Sequence, residues 1–168
     1  AGFLGMPEIR TGHGFDVHRF SDDPDRPLWL GGIEFDDRPG LEGHSDADAL
    51  IHAVCDSLLG AANLGDIGQL FPNTDPSWKN ARSAAFLSEC SARVKDQGWE
   101  ILFVDCSVIA ERPKIMPRKQ QICASLASAL GISDDRVSVK ATTNEKLGAI
   151  GRGEGIAAFA VSTLRRSP

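Results

Sequence analysis

The sequence predicts a single α+β domain, and three observations carry that prediction. The 168 residues are 42% hydrophobic and 24% charged, enough for one sizeable core and too few for two. Strand-patterned runs at both ends flank helical periodicities in the middle, in the order β, β, α, α, β, α, β, β. That order suits a mixed sheet covered by helices better than a doubly wound parallel fold. No internal repeat or interdomain linker breaks it.

Residues 1–8 are expected to be a disordered tail or one added for expression, with Met6 as a candidate start and the domain covering 9–166. From Ile9 to Val17 the chain is glycine-rich yet extended, and Leu28–Phe35 reads as a second strand paired with it. Ser45 precedes an apolar series, Ala47, Leu50, Ile51, Val54 and Leu58, of helical period, and with Asp48 it fits a capping box that starts the first helix. Gly60–Asp75, containing GDIG and FPNTDP, reads as a long loop of the kind that is functional or mobile. A second helix spans Asn80–Gln97 with Gly98 as its C-cap, and a third opens at Pro117 and stops at Gly131. Between them Glu100–Ala110 is a strand rich in Ile, Val and Phe. Val137, Val139 and Ala141 alternate as another, and Ile156–Leu164 supplies the last.

The net charge of -5 argues against nucleic acid or an anionic membrane as partner, because both reward a basic face. No apolar run nears the roughly 18–20 residues of a spanning helix. Cys55, Cys90, Cys106 and Cys123 are widely spaced with no CxxC pair, which suggests neither a disulfide framework nor a thiolate metal cluster and points to the cytoplasm. An anionic substrate must then be held by metals, backbone N–H groups and a few basic side chains.

His13, His18, His44 and His52 all fall in the first third of the chain. Residues two apart on a strand share a side, so Asp16 and His18 in FDVH can grip one ion. On the predicted helix His52 lies off the Ala47/Leu50/Val54/Leu58 stripe and shares a ridge with Asp48 and Asp56. Two imidazoles and one carboxylate with an open fourth position make a ligand set for a catalytic divalent ion, most readily zinc. The same spacing also fits a solvated strand edge, with His52 paired to its helical aspartates. His13, within GHG, is expected to satisfy a backbone partner. His44 precedes the predicted cap at a helix mouth, where N–H groups and the dipole favour a phosphate.

Five blocks in order carry a resemblance: GHGFDVHRF at 12–20, GHSDADALIHAVCDSLLGAANLGDIGQLFPNTDP at 43–76, ERPK at 111–114, VKATTNEKLG at 139–148 and GRGEGIA at 151–157. Together they resemble the 2-C-methyl-D-erythritol 2,4-cyclodiphosphate synthase family of the non-mevalonate isoprenoid pathway. The resemblance implies a mixed four-stranded sheet with helices on one face, a homotrimer, and active sites between subunits. It implies one zinc per subunit on Asp16, His18 and His52, with Asp16 and His18 also beside the substrate. Substrate phosphate falls to His44 and Ser45, and His44 doubles as a transition-state stabiliser. Asp66, Ile67 and Gly68 match the segment that holds the erythritol portion, under a loop of Phe71, Pro72, Asn73, Thr74 and Asp75.

A cytidine pocket is implied at Ala110, Glu111, Arg112, Pro113, Lys114, Ile115 and Met116 of a neighbouring subunit. Thr142, Thr143, Asn144 and Glu145 match a diphosphate turn in which Thr143 stabilises the transition state and Glu145 holds magnesium or manganese. Ala149 and Arg152 match positions near the trimer axis, where some members bind an isoprenoid diphosphate. There a phenylalanine is frequent where Ala149 stands; ERPK likewise replaces QAPK-like sequences, and Asn144 a frequent threonine. Without the resemblance, Thr142 and Thr143 read as strand-end residues, Lys114 as a surface lysine and Arg152 as a turn residue.

The implied reaction joins the 2-phosphate of 4-diphosphocytidyl-2-C-methyl-D-erythritol 2-phosphate to the β-phosphorus of its own diphosphate, closing a ring and expelling CMP. A single-function form is expected, with no fused cytidylyltransferase domain. Two other readings stay open: a non-catalytic nucleotide-binding trimer with structural zinc, and a metal-dependent phosphohydrolase.

Overall fold

Alternation along the first strand decides the layout. In the computed structural model, which describes residues 5–168, β1 (Glu8–Arg19) turns Gly12, Gly14, Asp16 and His18 to one side and His13, Phe15 and Val17 to the other. The chain continues through β2 (Leu28–Leu30), β3 (Ile33–Phe35), α1 (Ala49–Ala62), α2 (Ile67–Leu70) and α3 (Ser83–Asp96). It then forms β4 (Glu100–Ile109), α4 (Lys119–Leu130), β5 (Val137–Thr142), α5 (Gly148–Gly151) and β6 (Gly155–Arg166). Part of the expected tail, residues 1–4, lies outside the described residues.

The main sheet has the order β1-β6-β4-β5, antiparallel except for the parallel pair β4 and β5. That parallel pair needs a crossover, which α4 provides. Helix α1 packs on β1 and β6, α4 on β5, and α3 against both helices. Leu50, Leu58, Leu87, Leu126 and Leu130 fill the layer between and are fully buried. The far face of the sheet carries Ile9, Phe15, Val17, Phe103, Phe159 and Val161, each between 40% and 52% exposed. Among the described residues no helix is long and apolar enough to cross a membrane.

Two glycines bring α1 onto the strand. A methyl built at Gly12 would lie 2.0 Å from the Ser57 carbonyl oxygen, and one at Gly14 would lie 1.8 Å from that of Ala53. Only hydrogen fits there, so helix and strand backbones meet directly. His52, one residue before Ala53, is thereby delivered beside Asp16, two residues after Gly14.

Several elements depart from the sequence expectation. Leu28–Phe35 is not one strand but the hairpin β2–β3, forming its own two-stranded sheet, and β1 pairs with β6 instead. Gly31 and Gly32 have φ of +61° and +77°, the two successive left-handed residues that a two-residue hairpin turn demands. The first helix is capped by Asp48, not Ser45, and Ala47 before it is left-handed at φ 58°. Asp48 is fully buried; its carboxylate accepts Ile51 N–H at 3.0 Å, Gly31 N–H at 2.8 Å and Gly32 N–H at 2.7 Å. One carboxylate thus caps a helix and closes a hairpin, a double role no local pattern displays. Burial and the nearby Asp46 charge push its carboxyl up to about 6, against those N–H donors.

The expected loop at 60–75 is shorter than predicted, because α1 runs to Ala62 and α2 opens at a capping box on Asp66. The second helix starts at Ser83 rather than Asn80, and the third is preceded by a 3-10 turn over Met116–Arg118.

Candidate metal centre and substrate cleft

Asp16 and His18 leave the helix side of β1 and meet His52 from α1. Asp16 Oδ2 lies 2.9 Å from His18 Nε2 and 3.1 Å from His52 Nδ1, and the two ring nitrogens are 3.3 Å apart. A tetrahedral ion with bonds of about 2.0–2.1 Å separates its ligand atoms by roughly 3.3 Å. The triad therefore needs to open by only a few tenths of an ångström to hold one, and the donor set fits. Burial pushes the Asp16 carboxyl up, but the His18 and His52 imidazoles against it override that and hold it at about 2. Burial likewise pulls the His18 imidazole down, and its hydrogen bond and attraction to Asp16 raise it overall.

The outer atoms of both rings are tied. His18 Nδ1 donates to the Glu42 carbonyl at 2.7 Å, which leaves its Nε2 lone pair facing the triad. His52 Nε2 lies 2.9 Å from Ser83 Oγ and 3.4 Å from Ser45 Oγ. The helical aspartates that offered His52 a rival role are engaged elsewhere: Asp48 as described, and Asp56 in accepting Ile67 N–H at 2.8 Å. His13 points to the opposite side and leans on Phe159 at 6.1 Å between ring centroids, so it has no part in the triad.

The triad floors a cleft of about 240 Å³ whose walls include Gly43, His44, Ser45, Ile67, Gly68, Phe71, Asn73, Trp78 and Phe86. His44 does not sit at a helix mouth, since α1 begins beyond Asp48; its Nε2 lies 3.3 Å from the Asp75 carbonyl. Phe71 is buried and stacks on Phe86 at 4.5 Å, with Trp78 edge-on to both. Of the predicted substrate segment, Asp66, Pro72, Thr74 and Asp75 lie outside the lining; Asp66 caps α2 and Asp75 caps the turn Pro76–Trp78.

A second hollow of about 340 Å³ is lined by Ala110, Glu111, Pro113, Lys114, Ile115, Met116, Pro117, Ala141, Thr142 and Thr143. Arg112 is not among them: its guanidinium lies over the Phe20 ring at 3.7 Å. Glu145 is left-handed at φ 51° and exposed, with its N–H on Thr143 Oγ1 at 3.2 Å. Asn144 bonds the Leu147 carbonyl at 2.8 Å. Ala149 and Arg152 belong to neither hollow, and Arg152 pairs with Glu154 at 2.6 Å.

The two hollows share no residue, yet they flank one end of the sheet. Val17 pairs with Ala157, Ala157 with Ile109, and Ile109 with Thr142, a single row running from edge to edge. Three strand spacings of about 4.8 Å put those edges roughly 14 Å apart.

A model described as the YgbB family matches residues 9–165. The chain belongs to the YgbB family. The 2-C-methyl-D-erythritol 2,4-cyclodiphosphate synthase of Thermosynechococcus vestitus is 51% identical over 160 residues, which cover 95% of this chain and 98% of that relative. A solved IspF of Plasmodium falciparum in complex with CDP is 35% identical at a TM-score of 0.83, over 95% of this chain and 97% of that one. The bifunctional IspDF of Campylobacter jejuni is 44% identical at a TM-score of 0.91; the match takes in 96% of this chain and 43% of that longer one.

Within this YgbB-family fold, sequence reasoning missed Ser83 and Asp46. Ser83 N–H and Oγ both donate to the Asp46 carboxylate, the first at 2.9 Å. Asp46 offered one visible signal, its place in the HSDAD block; Ser83 offered none, since a serine opening a helix reads as a plain cap.

Proposed function

We propose that this chain closes the ring of 2-C-methyl-D-erythritol 2,4-cyclodiphosphate from 4-diphosphocytidyl-2-C-methyl-D-erythritol 2-phosphate, releasing CMP, in the non-mevalonate route to isoprenoid precursors. The observation that carries this reading is the open Asp16/His18/His52 triad at the floor of a cleft walled by His44 and Ser45. The Thermosynechococcus vestitus relative named above, 51% identical over 95% of this chain, supplies the reaction. A phosphate oxygen forms a bond to the β-phosphorus while the bond to the bridging oxygen breaks, and CMP leaves with that oxygen.

Such a transfer needs alignment and charge neutralisation rather than a protein nucleophile. When bound, one zinc per subunit on the triad and magnesium or manganese at Glu145 would supply Lewis-acid neutralisation of phosphate oxygens. His44 and Ser45 offer a ring N–H and a hydroxyl to phosphate, Ile67 and Gly68 take the erythritol portion, and the Phe71–Asp75 stretch covers it. Thr143 at the end of β5 binds the diphosphate, and Ala110 through Met116 hold the cytidine.

We read the assembly as a cytoplasmic homotrimer with active sites between subunits. In one chain the triad and the cytidine hollow sit at opposite sheet edges, so a neighbour presenting its β5 edge to this chain's β1 edge would unite them. The bare apolar sheet face supports such packing. Ala149 in place of a phenylalanine argues against isoprenoid diphosphate binding beside Arg152.

A purely structural metal is less well supported, because such sites are closed by a fourth protein ligand. The His, Cys, Asp and Glu grouping among the described residues contains only three. CMP release by metal-replete protein with magnesium present tests the reading, and absence of turnover overturns it. Phosphorus NMR of the product separates ring closure from hydrolysis to inorganic phosphate.

A further inference from the structure

Each ring in the triad is useful to a metal only if its inward nitrogen carries a lone pair. For His18 the backbone settles this, since the Glu42 carbonyl can only accept and so fixes the proton on Nδ1. His52 has no such carbonyl. Its outward Nε2 meets the Ser83 hydroxyl at 2.9 Å, a group that can either donate or accept.

What decides the direction is Asp46. Ser83 has one hydroxyl proton, and that proton lies on Asp46 Oδ1, while Ser83 N–H occupies Asp46 Oδ2 at 2.9 Å. The Ser83 oxygen is left only its lone pairs for His52, so towards Ser83 the ring can only donate, from Nε2, at the shorter of its two acceptor contacts: 2.9 Å against 3.1 Å from Nδ1 to Asp16. The neutral ring then carries its lone pair on Nδ1, facing Asp16 Oδ2 and His18 Nε2. The alternative partner, Ser45 Oγ, accepts Ala47 N–H and keeps its own proton, but at 3.4 Å it is the weaker contact of the two.

We propose that Asp46 and Ser83 are positioning residues that fix the His52 tautomer through a directed Asp46–Ser83–His52 relay, keeping Nδ1 free for the metal; this rests on the metal reading above. Asp46 also takes over the capping of α3, whose own N-cap Arg82 makes no side-chain bond. The relay therefore joins the metal ligand on α1 to the first turn of α3. Without it, His52 can carry its proton on Nδ1 and donate to Asp16 at 3.1 Å, closing the site with a hydrogen bond that a metal must break.

The test compares wild type, Ser83→Ala and Asp46→Asn. Ser83→Ala keeps the backbone bond to Asp46, so α3 keeps its cap, and circular dichroism checks the fold. Asp46→Asn can donate its amide to Ser83 Oγ and so turn the relay around. Nitrogen-15 imidazole shifts of His52 are read in the metal-free proteins, and zinc affinity is read by competition with a chelator. The expected result is an Nε2–H tautomer in wild type, a shift towards Nδ1–H in both variants, and zinc affinity 10- to 100-fold weaker. A folded Ser83→Ala protein with the wild-type tautomer and zinc affinity within twofold overturns the relay. If wild type itself takes up no zinc, the metal reading falls, while the tautomer comparison still decides the relay.

Discussion

Gly14 meets Ala53 through backbone alone: a methyl at Gly14 would sit 1.8 Å from the Ala53 carbonyl oxygen. The obstacle is helix backbone and cannot rotate away, so α1 must shift bodily in Gly14→Ala. His52 moves with it, because it neighbours Ala53. The expected cost is about 3 kcal/mol in chemical denaturation, at the upper end for overpacking. Zinc affinity should fall at least tenfold in parallel. Unchanged stability together with unchanged zinc affinity would remove close helix–strand contact as the device that builds the triad.

That contact also marks what was legible in the sequence. Asp16 and His18 were readable from strand alternation, and His52 from its place off the apolar stripe, because each signal is local. Asp48 was misread as the partner of a Ser45 cap, because its two glycine donors come from a hairpin some 16 residues upstream. Ser83 lies 37 residues from Asp46 and 31 from His52, and neither separation leaves a periodic trace. Helix α2 and the short 3-10 turns escaped because four residues or fewer show no period. The cytidine role proposed for the second hollow rests on resemblance alone: in a single chain that hollow sits at the far sheet edge from the Asp16/His18/His52 triad.

Asp48→Asn tests the buried carboxylate. At pH 5 the carboxyl is mostly protonated, with one donor and one free acceptor oxygen as an amide has, so the loss there should be about 1 kcal/mol in urea denaturation. Because the folded Asp48 value is raised from 3.8 to about 6, its titration supplies stability below 3.8 that is lost as pH rises through 6. The gap between wild type and variant should therefore narrow over that window. A gap that widens with pH would show that the three N–H donors outweigh burial.

The triad predicts opposite pH trends with and without metal. In the metal-free protein the His18 value is raised above 6.5 by Asp16, so that pairing stabilises fully below 6.5 and fades as pH rises through the folded value. The Asp16 side of the same pair is lost only as pH falls from 3.8 through about 2. Zinc competes with the proton for His18, so stabilisation by added zinc should grow over the range in which the metal-free protein weakens. Denaturation midpoints between pH 5 and 9, with chelator and with zinc, read both trends. Parallel curves would mean that His18 does not bind the metal.

Phe159 lies at the centre of the bare sheet face, its ring 4.9 Å from that of Phe15 and 6.1 Å from that of His13. If this face packs against neighbours in a trimer, Phe159→Glu places an unpaired charge in a desolvated contact. The side chain points away from α1, so neither the helical layer nor the triad is touched. The variant should run as a monomer in sedimentation while binding zinc with wild-type affinity. CMP release should drop at least 100-fold, because the triad and the hollow proposed for cytidine then remain at separate edges of one sheet. A variant that stays trimeric places the subunit contact elsewhere, and a monomer that keeps full turnover would mean that one chain completes the site alone.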